Sequence, residues 1–245
     1  KYRYIHGLKA PGSAATLIGH SFDEGCQSQF YERLQNEADK PLPDILGAFE
    51  TAWDAEKDNV EFQFDENPGE LRDEGIVLLR TYHGGGLLDI QPESVQKEIK
   101  IEQEGALKCI GFIDVIDKRG IIIDQKTTKK SQYIKDDDKN IVPWKESNVG
   151  EWQSDTFNQM SIYSLATGIK NIEVDYVYKL KTPVVQKIDI VITDADRNYA
   201  GRQIVRVSKA CAAIREHPET AVPNRGNRLC SPRFCGYWER CHRDY

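Results

Sequence analysis

The sequence predicts a mixed α/β protein, with a central mixed sheet flanked by helices. Three observations carry that prediction. Residues 13–82 place apolar side chains at helical spacing, punctuated by Pro and Gly. From Val95 the apolar pattern changes to period two. One further helical stretch then separates those strands from two more, and a long helix follows. Helices, three strands, a helix, two strands and a helix fit a sheet covered by helical layers.

The elements follow in order. A helix is predicted from Ser13 through His20 to about Asn36, with Leu17, Phe22, Phe30 and Leu34 as apolar positions. Leu46, Phe49 and Trp53 mark a second helix within Lys40–Asp65, which Asn67-Pro68-Gly69 breaks. Glu70–Tyr82 reads as a third, ended by Gly84-Gly85-Gly86. Val95–Gln103, Leu107–Asp117 and Gly120–Lys126 read as strands joined in hairpins. Lys129–Asp155 is polar, carries Asp136-Asp137-Asp138, and reads as a loop. A helix from Thr156 to Thr167 stops at Gly168; Ile172–Leu180 and Val185–Ile192 are strands; Asp194–His217 is a long helix. Pro218–Tyr245 reads as irregular. Cys109 in a strand and Cys211 in a helix read as core cysteines.

Composition narrows the function classes. With 245 residues, 39% hydrophobic and 29% charged, the chain has the make-up of a water-soluble globular protein. No apolar run approaches the ~18 residues of a membrane helix, and no signal peptide opens the chain, so a cytoplasmic setting without a membrane partner is expected. The first residue is Lys, so the start reads as trimmed. The net charge of −6 weighs mildly against nucleic acid. Lys126, Lys129 and Lys130, and Arg225, Arg228, Arg233, Arg240 and Arg243, are local basic clusters that offset it. Six cysteines are too few for a disulfide scaffold, and three of them, Cys230, Cys235 and Cys241, fall in the last sixteen residues. Such a cluster favours metal or cluster ligation.

The stretch Gly111–Lys126, GFIDVIDKRGIIIDQK, carries the chemistry. Two apolar strands flank a Lys-Arg-Gly turn, with carboxylates at Asp114 and Asp124. Side chains alternate along a strand, so Asp124 and Lys126 share one face and Gln125 points to the other. An Asp and a Lys projecting from an apolar strand are costly unless something uses them. A metal ion beside a phosphate uses both. Magnesium takes oxygen ligands, which two aspartates supply. Gln159 and Tyr163, four apart, share one helix face.

These residues together resemble the PD-(D/E)XK nucleases, and within them the RecB-like exonuclease branch. The likeness rests on Asp114, Asp124-Gln125-Lys126, His20 in GHSFDEG, the Q-x-x-x-Y pattern of Gln159–Tyr163, and Cys230-x4-Cys235-x5-Cys241, in family order from about Gly7 to Cys241. The resemblance implies a restriction-endonuclease-like α-β-β-β-α-β core. It implies one nuclease domain over 1–245, with a helical insertion at about 37–90 and a cysteine-bearing segment at about 218–245. It also implies Mg2+ or Mn2+ held by His20, Asp114, Asp124 and the Gln125 carbonyl, with Lys126 assisting attack. Asp23 or Glu24 could sit near His20. Gln159 and Tyr163 would touch DNA and brace the active-site strand. Cys230, Cys235 and Cys241 would hold a [4Fe–4S] cluster whose fourth ligand preceded Lys1; zinc, with His242 as fourth ligand, is the alternative. The expected activity is a DNA exonuclease of repair, recombination or phage DNA processing, with a helicase or recombination protein as partner. A DNA-binding subunit with little cleavage and a restriction-type endonuclease are the alternatives.

Overall fold

The structure, a computed structural model, describes residues 7, 9–129, 156–221, 235 and 237–244. Three helices open the chain: α1 (Ala14–Asn36), α2 (Leu42–Glu56) and α3 (Pro68–Gly85). Ser13 caps α1, its side chain accepting from the Thr16 amide at 3.3 Å. Asn67 does the same for α3, accepting from Gly69 and Glu70, with Pro68 in the first turn. The strands are β1 (Pro92–Ile101), β2 (Cys109–Asp117), β3 (Ile122–Lys129), β4 (Asn171–Lys179) and β5 (Val184–Val191). α4 (Asn158–Thr167) lies between β3 and β4, and α5 (Asp194–Glu216) follows β5. α5 opens on a capping box in which Thr193 and Asp196 satisfy each other's backbone amides. A short α6 (Trp238–Asp244) lies in the stretch expected to be irregular. Lys129, expected to open a loop, instead ends β3 in register with Lys179; the rest of the expected loop, residues 130–155, lies outside the described ones.

The sheet order is β1-β2-β3-β4-β5, and only β3 and β4 run parallel. A parallel pair needs a crossover, and α4 lies within it. Period-two alternation sends the two faces of the sheet into two cores. Val115, Ile123 and Val177 pack beneath α1–α3 with Leu17, Phe22, Phe49, Trp53 and Leu79. Ile113, Ile122, Val174 and Tyr176 pack beneath α4 and α5 with Met160, Tyr163 and Ile204.

Specific polar contacts tie the first layer to the sheet. Arg33 of α1 donates to the carbonyls of Leu88 at 2.7 Å and Ile90 at 2.5 Å, fixing the chain that leads into β1. Tyr82 of α3 donates to Asp175 Oδ2 of β4 at 2.5 Å, both groups being buried. Burial holds the Asp175 carboxyl up at about 7. Of the two cysteines read as core, Cys109 is half-buried and Cys211 exposed; Cys26 of α1 is the fully buried one. Cys211 lies on the same stripe of α5 as Ala200, Ile204 and Ser208, but beyond Ser208, where the helix is no longer covered.

α2 and α3 approach closely at Gly75. A Cβ there would stand 2.4 Å from Cζ and 2.8 Å from Cε2 of the buried Phe49 ring. A ring packed on all sides cannot withdraw cheaply. Gly75→Ala is therefore expected to destabilise the protein by about 1–3 kcal/mol. The check is a lower urea midpoint at unchanged m-value.

Candidate active site

The site is made where the sheet comes apart. Between β2 and β3 the antiparallel ladder runs over Ile116–Ile122 and Val115–Ile123 and stops there. Asp114 and Asp124 would form the next rung. Like charges directly opposite each other destabilise a strand pair, so the ladder ends where the carboxylates begin. The turn between the strands is tight: the Asp117 amide donates to the Ile121 carbonyl, and Gly120 takes φ +74°.

β1 also changes conformation at this level. Gln96 lies between the pairs Val95–Val115 and Lys97–Ile113, and takes φ +47°. Left-handed backbone in a strand is strained for a residue with a Cβ. On one side of it Val95 and Val115 pack beneath α1–α3; on the other Ile113 packs beneath α4. The ribbon thus turns over at Gln96 and Asp114, and Gln96 Nε2 lies 3.4 Å from Asp114 Oδ1. Sequence reading did not single out Gln96. Nothing in its neighbours announces the turn-over, which is set by β1–β2 register.

Lys126 and Asp124 share a face, as alternation requires, and form an ion pair of 2.7 Å between Nζ and Oδ2. From α4, Gln159 Nε2 lies 3.5 Å from the other oxygen of Asp124 and donates to Tyr163 Oη at 2.7 Å. The four-residue spacing thus places Gln159 against Asp124. Tyr163 is buried, and burial raises its phenol to about 12. From α1, His20 and Asp23 line a cavity of about 380 Å³ with Ala15, Asp114, Gln125 and Lys126. His20 Nε2 lies 3.4 Å from Glu56 of α2. Both side-chain polar atoms of Gln125 are buried without a hydrogen-bond partner. Cys235 is half-buried, and the Cys241 amide donates to the Tyr237 carbonyl at the start of α6. Cys230 lies outside the described residues, as does the His242 side chain.

Electrostatics separate these carboxylates from their neighbour in the turn. Asp117 is also buried, which raises its carboxyl. Hydrogen bonds from the Arg119 side chain and from the Arg119 and Gln91 amides outweigh burial and hold it below the usual range. Asp114 lacks such donors. Burial, then Asp124 and Asp23, push it up to about 7 against the pull of Lys126. Asp124 is raised by burial and held back by Lys126. Asp23 is raised by burial, with Glu24 and Asp124 adding to it and Gln27 opposing. One buried carboxylate, Asp124, and two half-buried ones, Asp114 and Asp23, thus face one ammonium.

That imbalance fits a divalent cation, which favours carboxylate oxygens and would neutralise the excess charge. Among the described residues, no three His, Cys, Asp or Glu side chains are already arranged around one ion position. His20, engaged with Glu56, would have to turn from it to join the aspartates.

The sequence model of the PD-(D/E)XK nuclease superfamily matches residues 1–242. The chain belongs to the PD-(D/E)XK nuclease superfamily. Its fold agrees with a crystal structure from Eubacterium rectale described as a "putative exonuclease", at 15% identity and a TM-score of 0.52, covering 100% of this chain and 92% of that one. A second structure, SSO0001, is similar at 13% identity and a TM-score of 0.32, covering 86% of this chain and 79% of that one. No curated protein sequence matches the chain. As a superfamily member it is a nuclease, with DNA as the substrate its family implies. No helix among the described residues is long and apolar enough to cross a membrane.

The charge imbalance makes a prediction for the metal-free protein. A carboxyl held at about 7 when folded and near 3.8 when unfolded binds its proton more tightly in the native state. Its contribution therefore falls as pH rises from about 4 through 7. Asp114→Asn is expected to be more stable than wild type at pH 8, by on the order of 1–3 kcal/mol, with the gap closing toward pH 4. Added Mn2+ should raise the melting temperature of wild type and leave that of the variant nearly unchanged. Thermal melts at four pH values, with and without metal, check both statements.

Proposed function

We propose that this nuclease is a metal-dependent DNA exonuclease whose active site is the gap between β2 and β3. The observation that carries the reading is the pair Asp114 and Asp124 with Lys126 beside them where the ladder stops, Asp124 buried and the other two half-buried. Asp114 and Asp124, with His20 and the Gln125 backbone carbonyl, are the residues that would hold Mg2+ or Mn2+. Such an ion, when bound, supplies charge relief on the phosphate and a more acidic water.

The remaining roles belong to the chain itself. Lys126, whose Nζ pairs with Asp124 at 2.7 Å, would hydrogen-bond the attacking water or a non-bridging phosphate oxygen. Gln159 holds Asp124 from the far side, and the Tyr163 hydroxyl holds Gln159 in turn. Together they keep the carboxylate from rotating out of the gap. Asp23 adds negative charge on the α1 side, favouring cation over anion until the ion is in place. The imbalance also explains how an acidic chain can take a polyanion: the pocket presents its charge to a cation first.

The terminal cysteines Cys230, Cys235 and Cys241 are read as ligands of an iron–sulfur cluster or zinc. Metal analysis of protein purified without oxygen is expected to find iron, or zinc in its place, and to lose it in Cys241→Ser. A role in DNA repair, recombination or phage DNA processing, beside a helicase or recombination protein, belongs to the same reading.

End-labelled linear DNA, single- and double-stranded, with Mn2+ or Mg2+, provides the test, with a covalently closed circle as control. Linear DNA is expected to be degraded from its ends and the circle left intact. Lys126→Ala and Asp124→Ala should each lose at least 10²-fold in rate, comparable to removal of a transition-state donor. Cleavage of the circle would instead make the protein an endonuclease. Equal activity in wild type and Lys126→Ala would remove the site from this gap.

A further inference from the structure

We propose that Phe112, with Ile110 behind it, is a shelf on which an unpaired base of the substrate strand stacks, about two nucleotide repeats from the phosphate that reacts beside Asp114. The inference rests on the nuclease reading and adds to it the part of the substrate that the site recognises.

The geometry of β2 carries it. Ile110 and Phe112 share one face of β2 and lead to Asp114, where the ribbon turns over. The opposite face is identified by Gly111: a Cβ there would meet Ile99 at 3.4 Å and the Tyr163 ring at 3.9 Å. Odd-numbered residues of this half of β2 therefore lie toward α4. Ile110 and Phe112 project from the other side, where α1, His20 and Asp23 line the cavity with Asp114. Phe112 is 51% exposed and Ile110 63%. At the rise of a strand, Phe112 stands about 7 Å from Asp114 along β2 and Ile110 about 14 Å. In stacked nucleotide repeats of ~3.4 Å, Phe112 lies about two repeats from the phosphate position.

The neighbours of the shelf select a base face over a phosphate. On β1, Glu98 pairs with Phe112 and Lys100 with Ile110. Glu98 and Lys100 are tied to each other at 3.3 Å, so the cation there already has its anion. An aromatic edge beside this paired Glu98 and Lys100 offers a backbone phosphate no unpaired cation and accepts a π-face. Every base has such a face, which makes the recognition tolerant of sequence. A base within a duplex is already covered on both sides, so the shelf requires an unpaired one. Two side chains fall far short of the ~800 Å² per partner of a stable protein interface, which weighs against a second copy as the occupant.

The test uses the whole chain and two readouts. In the first, single-stranded oligonucleotides carrying 2-aminopurine near the end are titrated with metal-free protein. Wild type is expected to quench the fluorescence, Phe112→Trp to quench it equally, and Phe112→Ala to leave it unquenched. In the second, Mn2+-supported cleavage of single strands is followed. Phe112→Ala should lose about 5- to 100-fold in kcat/KM, and Phe112→Trp should retain wild-type activity. An abasic site at the stacked position should cost wild type a similar factor and Phe112→Ala nothing further. Phe112 is half exposed, so melting temperatures should match; Phe112→Trp guards against a variant that fails to fold. Unchanged kcat/KM in Phe112→Ala beside active wild type overturns the shelf and leaves the nuclease reading intact. Wild type that quenches without cleaving supports the shelf and overturns the exonuclease reading. Absence of quenching by wild type overturns the shelf whatever the cleavage result. A dimer that Phe112→Ala dissolves in sedimentation would give the face to a second copy and overturn it as well.

Discussion

Asp114 and Asp124 cannot face each other across a closed strand pair. Much of the active-site geometry follows from that repulsion. β2 and β3 zip from the turn only as far as Val115–Ile123, while β4 pairs with the other edge of β3 along its whole length and holds it in the sheet. The gap so opened is where α1 brings its polar side chains, and where α4 leans Gln159 against Asp124. A sheet with apolar residues in place of the two aspartates could close, and would have no site. Burying charge in this way is the usual tension between stability and function.

The other buried acids show how the molecule separates structural carboxylates from reactive ones. Asp117 is wrapped by donors and stays ionised. Asp175 is capped by Tyr82 and pushed upward, on the face away from Gln159. Asp114 has one long contact, from Gln96, and two acidic neighbours. What distinguishes the site is the shortage of donors around its carboxylates, a shortage that a cation can fill.

Much of this was legible in the sequence, for reasons that can be stated. Period two placed Asp124 and Lys126 on one face, and the ion pair between them agrees. The i, i+4 relation of Gln159 and Tyr163 put both on one side of α4, where they are hydrogen-bonded. The order of strands and helices followed from the change in periodicity after Gly86. What escaped was whatever depends on register between strands distant in sequence. Gln96 meets Asp114 across eighteen positions, and its left-handed backbone leaves no compositional trace. Burial of single cysteines escaped for a similar reason: an apolar side chain says that it tolerates the interior, and only packing says whether it is there. Cys211 lies on the buried stripe of α5 but past its last covered turn, and Cys26 lies in the covered part of α1.

The division of the interior into two cores has a consequence for how the enzyme should fail. His20 and Asp23 ride on α1, in one core, while Gln159 rides on α4, in the other; β3 is what they have in common. Among the described residues, the sheet is the main connection between the two helical layers. Loosening either layer separates groups that must act together, although the strands themselves remain paired. Thermal inactivation should therefore set in below the temperature at which the sheet melts, and should be reversible on cooling as long as the sheet survives. The working range of such an enzyme is set by the weaker of its two helical layers, not by the stability of the sheet that carries its carboxylates.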